Sequence, residues 1–275
     1  MKTNKLLSVV LALCMLLTAF PLTALAADTA AATVGDTGYA TLEEALAHVD
    51  ADHPLTSVTE AAWSSETPVY YNGNFYKGTS EVITAKGALE YAIIAANEAN
   101  SNEVAKIYIR PGYDADGTAE KLVKQAHQQI KTSIAVYGND AHLNYNWEPC
   151  VEYPGNSGDS GAHQLTKNIS ISFYNLHDGA GLWGTRVTAY TVDLTMQNCN
   201  NAYEIMFYGN QNDAEGATNI TVKNCVFDAT KKSDHNVICI IGAGDITAED
   251  TTFISANINL KNANGETVSI GYCYE

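Results

Sequence analysis

The segment richest in reactive side chains is a glycine-rich turn at residues 175–186. It brings together an imidazole, a carboxylate, an indole and a guanidinium, from His177, Asp178, Trp183 and Arg186. An imidazole and a carboxylate can transfer protons during cleavage of a glycosidic bond, and an aromatic face can stack on a sugar ring. The turn therefore makes His177, Asp178 and Arg186 candidate catalytic residues and Trp183 a candidate carbohydrate-binding residue. The alternative is a solvated turn with the indole packed on the protein.

Other candidates are scattered along the chain. Tyr208 is a second aromatic residue that could contact a sugar. Asp213 with Glu215, and Asp228 with Asp234, could supply oxygen ligands for calcium, although such charges also serve simply to keep an acidic chain solvated. The cysteines and histidines lack the short spacings of a structural zinc site. We therefore expect no cofactor, with calcium as the one possible ion.

The strongest regularity is a repeat that ends in Asn or Asp. Asn175, Asn198, Asn224 and Asp250 each follow a short segment with apolar residues at alternate positions, and they lie 23, 26 and 26 residues apart. A strand that recurs every 20–30 residues indicates a stacked solenoid, in which each strand pairs with the next coil. Asn tolerates the left-handed backbone of a sharp turn, so these positions predict turns joined by a ladder of stacked amides.

The residues that carry a family resemblance are Asn219–Phe227 with its echoes, and the unit formed by Ala88–Ala96 and Lys106–Gly112. Here the chain resembles the right-handed parallel β-helix proteins of the pectate-lyase-like superfamily, especially exported bacterial repeat proteins. The resemblance covers about residues 80–275 and implies a helix that caps the first coil. The predicted fold is therefore all-β, a right-handed parallel β-helix over residues 81–275 with an N-terminal helical cap segment.

The activities that this resemblance implies lack their usual residues here. Polygalacturonases of the superfamily would carry paired aspartates near Gly-His-Gly and Arg-Ile-Lys, and none of these motifs is present. Pectate lyases would carry clustered calcium-binding carboxylates and an arginine base, but Arg110 and Arg186 are the only arginines. Arg110 closes an early strand, which favours a structural role. These absences argue against both activities and leave room for a divergent enzyme.

The N-terminus predicts export. Residues 1–26 have Lys2 and Lys5 at the start, a short apolar run, and a small-residue cleavage site at Ala24-Leu25-Ala26, as in a signal peptide. Without them the chain has 13 basic and 31 acidic residues, a net charge of −18. Such a surface repels nucleic acid and anionic lipid. We expect a secreted or cell-surface protein with no membrane span in its mature chain.

Between the leader and the repeats, residues 27–80 form a lead-in. Thr41 and Glu44 make a capping box for a helix, and Asn72-Gly73 is the turn of a hairpin. A second helix is predicted from near Thr84. Strands are predicted at Lys106–Arg110 and Ser133–Tyr137, the latter stopping at Gly138-Asn139.

Residues 138–167 read as a long polar insertion in the solenoid. A loop of this length in a compact domain is either functional or poorly ordered. It contains His142 and His163, which could approach the turn at residues 175–186, although sequence spacing alone cannot show it.

Five cysteines remain after the leader, an odd number, so at least one thiol is free. Cys199 and Cys225 occupy the same place in successive repeats. We expect them to stack between coils as small buried apolar residues, with a disulfide between them as the alternative.

These observations favour a secreted non-catalytic module that binds carbohydrate or a surface partner along its coils. The rivals are a polysaccharide lyase or glycosidase centred on the turn at residues 175–186, and a structural piece of a longer surface repeat protein. The last repeat ends in a strand with no polar capping unit after it. An uncovered end coil exposes backbone groups, so self-association through this end is a further expectation.

Overall fold

The computed structural model describes residues 30–79, 86–113, 129–143, 147, 149–151, 165–184, 190–202, 205–208, 216–228, 238–241, 244–254, 258–261 and 267–270. The predicted signal peptide and Arg186, Asp213, Glu215 and Asp234 lie outside the described residues. For Trp183 and Tyr208 the backbone alone is described.

Two helices and twenty strands make up the described residues. The helices are α1 (Leu42–Leu46) and α2 (Ala88–Ala99). The strands before the repeats are β1 (Ala32–Val34), β2 (Thr37–Tyr39), β3 (Leu55–Val58), β4 (Val69–Tyr71), β5 (Asn74–Tyr76), β6 (Ala105–Ile109), β7 (Ile134–His142) and β8 (Cys150–Val151). The strands of the repeats are β9 (Ile169–His177), β10 (Leu182–Gly184), β11 (Val192–Gln197), β12 (Asn200–Ala202), β13 (Ile205–Tyr208), β14 (Thr218–Lys223), β15 (Val226–Asp228), β16 (Ile238–Ile241), β17 (Ile246–Glu249), β18 (Thr252–Ile254), β19 (Ile258–Lys261) and β20 (Thr267–Ile270).

Stacked parallel coils form the body of the protein, which confirms the predicted parallel β-helix. Its largest sheet has eight strands in the order β17-β14-β11-β9-β7-β6-β4-β5, and a second has six in the order β20-β19-β16-β13-β10-β8. A third sheet has the order β12-β15-β18. Each of the last three repeats gives one strand to each of these sheets, because strands about one repeat apart in sequence become neighbours in space.

Alternate side chains of each strand fill the interior. In the eight-stranded sheet, Ile171, Leu194 and Ile220 are in register and at most 1 % exposed. Phe173, Met196 and Val222 form the next interior column, with no exposed surface. The period of two in the sequence is therefore the period of an inward-facing strand position.

The repeated Asn/Asp positions are turns, as predicted. Asn175, Asn198, Asn224 and Asp250 all have positive φ, between 46° and 57°. The amide ladder is shorter than expected, since its one bond between described asparagine side chains runs from Asn224 Nδ2 to Asn198 Oδ1, at 2.8 Å. The Nδ2 groups of Asn175 and Asn198 instead donate to the carbonyl of Ala51, at 2.9 and 2.7 Å.

Helix α2 packs on the apolar interior of the first coils. Leu89 and Ile93 are fully buried and belong to the same core as the interior columns. The helix begins at Ala88, four residues after the predicted start. Its first turn is closed by the carboxylate of Glu90, which accepts a hydrogen bond from the backbone N–H of Gly87.

An N-terminal unit covers the outer face of the eight-stranded sheet. Strands β2, β1 and β3 form an antiparallel sheet, and α1 is capped by Thr41, whose hydroxyl accepts from the Glu44 N–H at 3.2 Å. This confirms that Thr41 caps the helix, which is one half of the predicted capping box. A second hydrophobic core lies between this unit and the large sheet, and outward-facing aromatic side chains of the sheet belong to it.

Those outward-facing side chains form a continuous aromatic column. Phe75, Tyr70, Tyr108, Tyr137 and Tyr174 occupy adjacent register positions on five neighbouring strands. Adjacent ring centroids are 5.0–6.4 Å apart along the column. The N-terminal unit buries the middle of the column and leaves Phe75 43 % exposed.

The segment predicted to be an insertion, residues 138–167, contains strands. Strand β7 runs on past Gly138 to His142, through Asn139 and Asp140 in left-handed conformations. The register with β9 shifts between Tyr137 and Ala141, so the backbone bulges there and then resumes pairing. Cys150–Val151 pairs with β10 in the six-stranded sheet. This stretch therefore contributes to a coil.

The last strand folds back on the solenoid. Strand β20 pairs antiparallel with β19, and it closes the edge of the six-stranded sheet. Strands β17 and β18 are the outermost strands of the other two sheets. Among the described helices, none is both long and apolar enough to cross a bilayer.

Candidate functional site

A cleft opens where the N-terminal unit meets the eight-stranded sheet. It has a volume of about 590 Å³, and its polar and aromatic lining includes Tyr39, His48, Asp50, His53 and Lys106. Tyr39 comes from β2 and His48, Asp50 and His53 come from the loop after α1, whereas Lys106 comes from β6. The cleft therefore exists because the N-terminal unit docks on the solenoid.

An aromatic pair forms one side of the cleft. The rings of Tyr39 and His48 stack with centroids 4.8 Å apart and planes 28° from parallel. His48 Nδ1 lies 2.8 Å from the carbonyl oxygen of Glu44, and because that oxygen can only accept, Nδ1 carries the proton. In the neutral ring, Nε2 then presents a lone pair as an acceptor.

A second histidine is held by a carboxylate in the loop after α1. His53 Nδ1 lies 2.9 and 3.1 Å from the two carboxylate oxygens of Asp50, which also accepts from the backbone N–H of Asp52 and of His53. Burial raises the pKa of the Asp50 carboxyl, but these hydrogen bonds outweigh it and hold that pKa below its usual value. The loop is therefore shaped by an ionised carboxylate.

Lys106 supplies a cation to this cleft. Its side chain lies on the outer face of β6 and is exposed. Its ammonium makes no ion pair with any residue that the structure describes. In a chain with a net charge of −16, this ammonium adds a cation to a cleft that also contains the Asp50 carboxylate.

A second group of polar side chains lies where β7 and β9 end. His142 Nδ1 is 2.6 Å from the carboxylate of Asp178, and His142 is about half exposed. Because an ionised carboxylate only accepts, this bond fixes the imidazole proton on Nδ1. The Nε2 atom of His142 then holds the free lone pair that a general base requires.

His177 lies beside this pair, and its neutral ring carries the proton on the other nitrogen. Its ring centroid is 5.1 Å from that of His142, and the residue is 9 % exposed. The backbone N–H of Asn200 donates to Nδ1 at 3.1 Å, so the proton of the neutral ring is on Nε2, which faces Asp140 at 3.4 Å. That hydrogen bond, together with the charges of both histidines, holds the pKa of the Asp140 carboxyl below its usual value against burial.

The structure separates the residues that the sequence grouped. His177 and Asp178 are adjacent in the chain but belong to two different pairs, one with Asp140 and the other with His142. Asp228 ends β15 and is partly exposed. No group of three or more possible metal ligands occurs in the described parts of the chain.

The cleft is a site that sequence reasoning missed. Its one local signal is the run Asp50-Ala51-Asp52-His53, which concentrates polar groups in a short loop. The pairing of β7 with β9 brings His142 to the turn at residues 175–186, as the sequence analysis allows. No sequence pattern marks Lys106 or Tyr39 as a binding residue, since each occupies an ordinary outward-facing position of a strand.

Comparison of the chain with protein-family models, with curated proteins and with solved structures finds no match.

Proposed function

We propose that this protein is an exported, non-catalytic module that binds carbohydrate in the cleft between its N-terminal unit and its β-helix. The observation that carries the proposal is the stacked pair Tyr39–His48 beside the polar groups of Asp50, His53 and Lys106 in one cavity. Cavities that hold small ligands have volumes of about 300–1,000 Å³, which includes the volume of this cleft.

The cleft is lined by the kinds of groups that bind a saccharide. A pyranose ring has an apolar face of C–H groups, which an aromatic ring accepts, and a rim of hydroxyls that both donate and accept. His48 Nε2 is an acceptor in the neutral ring, and the Lys106 ammonium is a donor. Tyr137 and Val49 add buried apolar surface to the floor of the cleft.

The mature protein would be tested against a panel of pectins, other uronic acid polymers and neutral glycans, with and without calcium. Binding is expected for at least one saccharide, and Tyr39→Ala should weaken it about tenfold because one aromatic stacking contact is lost. Phe75→Ala is the matched control, since it removes an exposed aromatic ring outside the cleft. Saccharide binding that is unchanged in Tyr39→Ala and lost in Phe75→Ala would place the site elsewhere.

A second candidate function rests on the pair His142–Asp178. A half-exposed histidine whose ring is oriented by a carboxylate is the usual arrangement of a general base. We propose polysaccharide cleavage at this pair as the alternative to simple binding. Cleavage of any glycan in the panel that disappears in His142→Ala and Asp178→Asn, and survives in Tyr39→Ala, would replace the binding function with this one.

A further inference from the structure

The apolar interior is open at the end of the solenoid formed by β17 and β18. Ile220 and Val222 are at most 1 % exposed. At the next positions in the same columns, Ile246 is partly exposed and Ala248 is exposed. Ile254 on β18 is 39 % exposed. Among the described strands, none pairs with the outer edge of β17 or of β18.

The outer edge of β17 carries backbone groups that pair with none of the described strands. The carbonyls of Asp245 and Glu249 accept from Ile220 and Asn224 in the coil below, so alternate residues from 245 to 249 face that coil. Because neighbouring residues of a strand point their N–H and C=O groups in opposite directions, those of Ile246 and Ala248 face the open edge. The edge is therefore a template for one more strand.

The outward side chains of this end are acidic. Asp245 and Glu249 lie on the outer face beyond Asn219 and Lys223, and the Glu249 carboxylate is 3.9 Å from the Lys223 ammonium. Asp250 follows in the turn and is exposed. Lys223 shows that a lysine directly across from Glu249 is within reach of its carboxylate. A basic side chain opposite Glu249, in a strand added at the open edge of β17, would be equally within reach of that carboxylate.

We propose that this open end binds an extended segment of another protein whose side chains alternate between apolar and outward positions, with Lys or Arg at both outer ends. The apolar side chains would cover Ile246 and Ala248, and the basic ones would lie opposite Asp245 and Glu249. A strand added to the third sheet would cover Phe253, whose ring stacks on Phe227 at 5.3 Å.

Charge selects this occupant over a second copy of the chain. Two such ends placed together would bring Asp245, Glu249 and Asp250 of one protein against the same carboxylates of the other. Like charges directly opposite each other on paired strands are destabilising. A basic strand replaces that repulsion with ion pairs, so the acidic rim favours a different partner.

Binding to the full-length mature protein would be measured with two labelled peptides, Lys-Ile-Thr-Val-Lys and Glu-Ile-Thr-Val-Glu, each blocked at both termini. The basic peptide should bind at least tenfold more tightly than the acidic one, because two cross-strand ion pairs are formed. Glu249→Lys, a change at an exposed position, should reduce or invert that preference while the fold is unchanged by circular dichroism.

Ala248→Pro is the second variant. Proline removes an N–H that faces the open edge, and proline is tolerated on edge strands, so binding of both peptides should be lost. Equal binding of the two peptides, or no binding of the basic peptide to the folded protein, would overturn the proposal. Light scattering gives a further test. If the wild-type protein is a dimer and Ala248→Pro is a monomer, the occupant is a second copy and the proposal is overturned.

Discussion

The side-chain amide of Asn198 donates a hydrogen bond of 2.7 Å to the backbone carbonyl of Ala51, which lies 147 positions earlier in the chain. Asn198 is a turn residue of the repeat, and Ala51 is in the loop of the N-terminal unit that lines the cleft. Asn175 donates to the same carbonyl, and Gln197 donates to the carboxylate of Asp52 at 2.8 Å. The repeats therefore hold the N-terminal unit in place through residues that also shape the coils.

Substitution of Asn198 can separate these two roles. Asn198→Gly keeps the left-handed backbone and loses the amide, so we expect the free energy of unfolding to fall by about 1–2 kcal/mol. Asn198→Ala loses the same amide but keeps a Cβ at φ 57°, which glycine lacks, so it should be roughly 1–2 kcal/mol less stable than Asn198→Gly. Urea denaturation of both variants measures the difference. Equal stabilities would mean that the left-handed turn carries no energetic cost here.

Alkaline pH should destabilise the protein through the buried aromatic column. Burial, with the neighbouring tyrosines second, raises the pKa of Tyr108 above its ordinary value near 10, and burial likewise raises that of Tyr137. A group whose pKa is higher in the folded state keeps its proton there while the unfolded chain loses it, so stability is retained below about pH 10 and falls as the pH rises beyond.

Tyr108→Phe tests this pH dependence. The variant should lose about 1 kcal/mol at neutral pH, since its hydroxyl donates to the Leu46 carbonyl at 3.3 Å. Above pH 10 its stability should decline less steeply than that of the wild type, as measured by urea unfolding at a series of pH values. A parallel decline in the two proteins would mean that Tyr108 is ionised in the folded state.

The buried thiols should resist alkylation. Cys150, Cys199 and Cys225 are free and at most 2 % exposed, and burial raises the pKa of Cys150 to about 12 and that of Cys199 as well. The hydrogen bond with the Cys199 thiol lowers the pKa of Cys225, so burial alone protects that thiol. Since the thiolate is the reactive form and has to be reached by the reagent, iodoacetamide at pH 8 should modify these three positions only after denaturation. Peptide mass spectrometry resolves each site. A Cys199–Cys225 disulfide would instead appear as a linked peptide that is released by reductant.

Gly216 should not tolerate substitution, because another backbone segment lies against it. A Cβ at Gly216 would lie 2.6 and 2.7 Å from the carbonyl carbon and the nitrogen of Tyr190, so two backbone segments meet there without room for a side chain. Gly216→Ala should destabilise the protein by several kcal/mol, roughly the cost of overpacking a core. Gly73→Ala is the control, because that glycine has open space and only its φ of 77° to oppose the change, at about 1 kcal/mol. Thermal unfolding compares the two.

Local sequence also predicted several elements outside the repeats. The Asn72-Gly73 hairpin and the helix capped by Thr41 form as expected, since turn and cap preferences act over a few residues. The stop predicted at Gly138-Asn139 fails because Asn139 is held by tertiary contacts. Its side chain accepts from the Leu55 N–H and donates to the Ile109 carbonyl, so the backbone bulges and the strand continues.

The sequence by itself determined the coil. Apolar residues at a period of two define which side chains face inward, and Asn or Asp every 23–26 residues defines where the chain turns, because both properties are local to a few residues. Only the tertiary structure decided which polar groups meet. The cleft joins Tyr39 and His53 to Lys106, and the pair His142–Asp178 joins adjacent coils, because docking of the N-terminal unit and the register of β7 with β9 depend on contacts between distant segments.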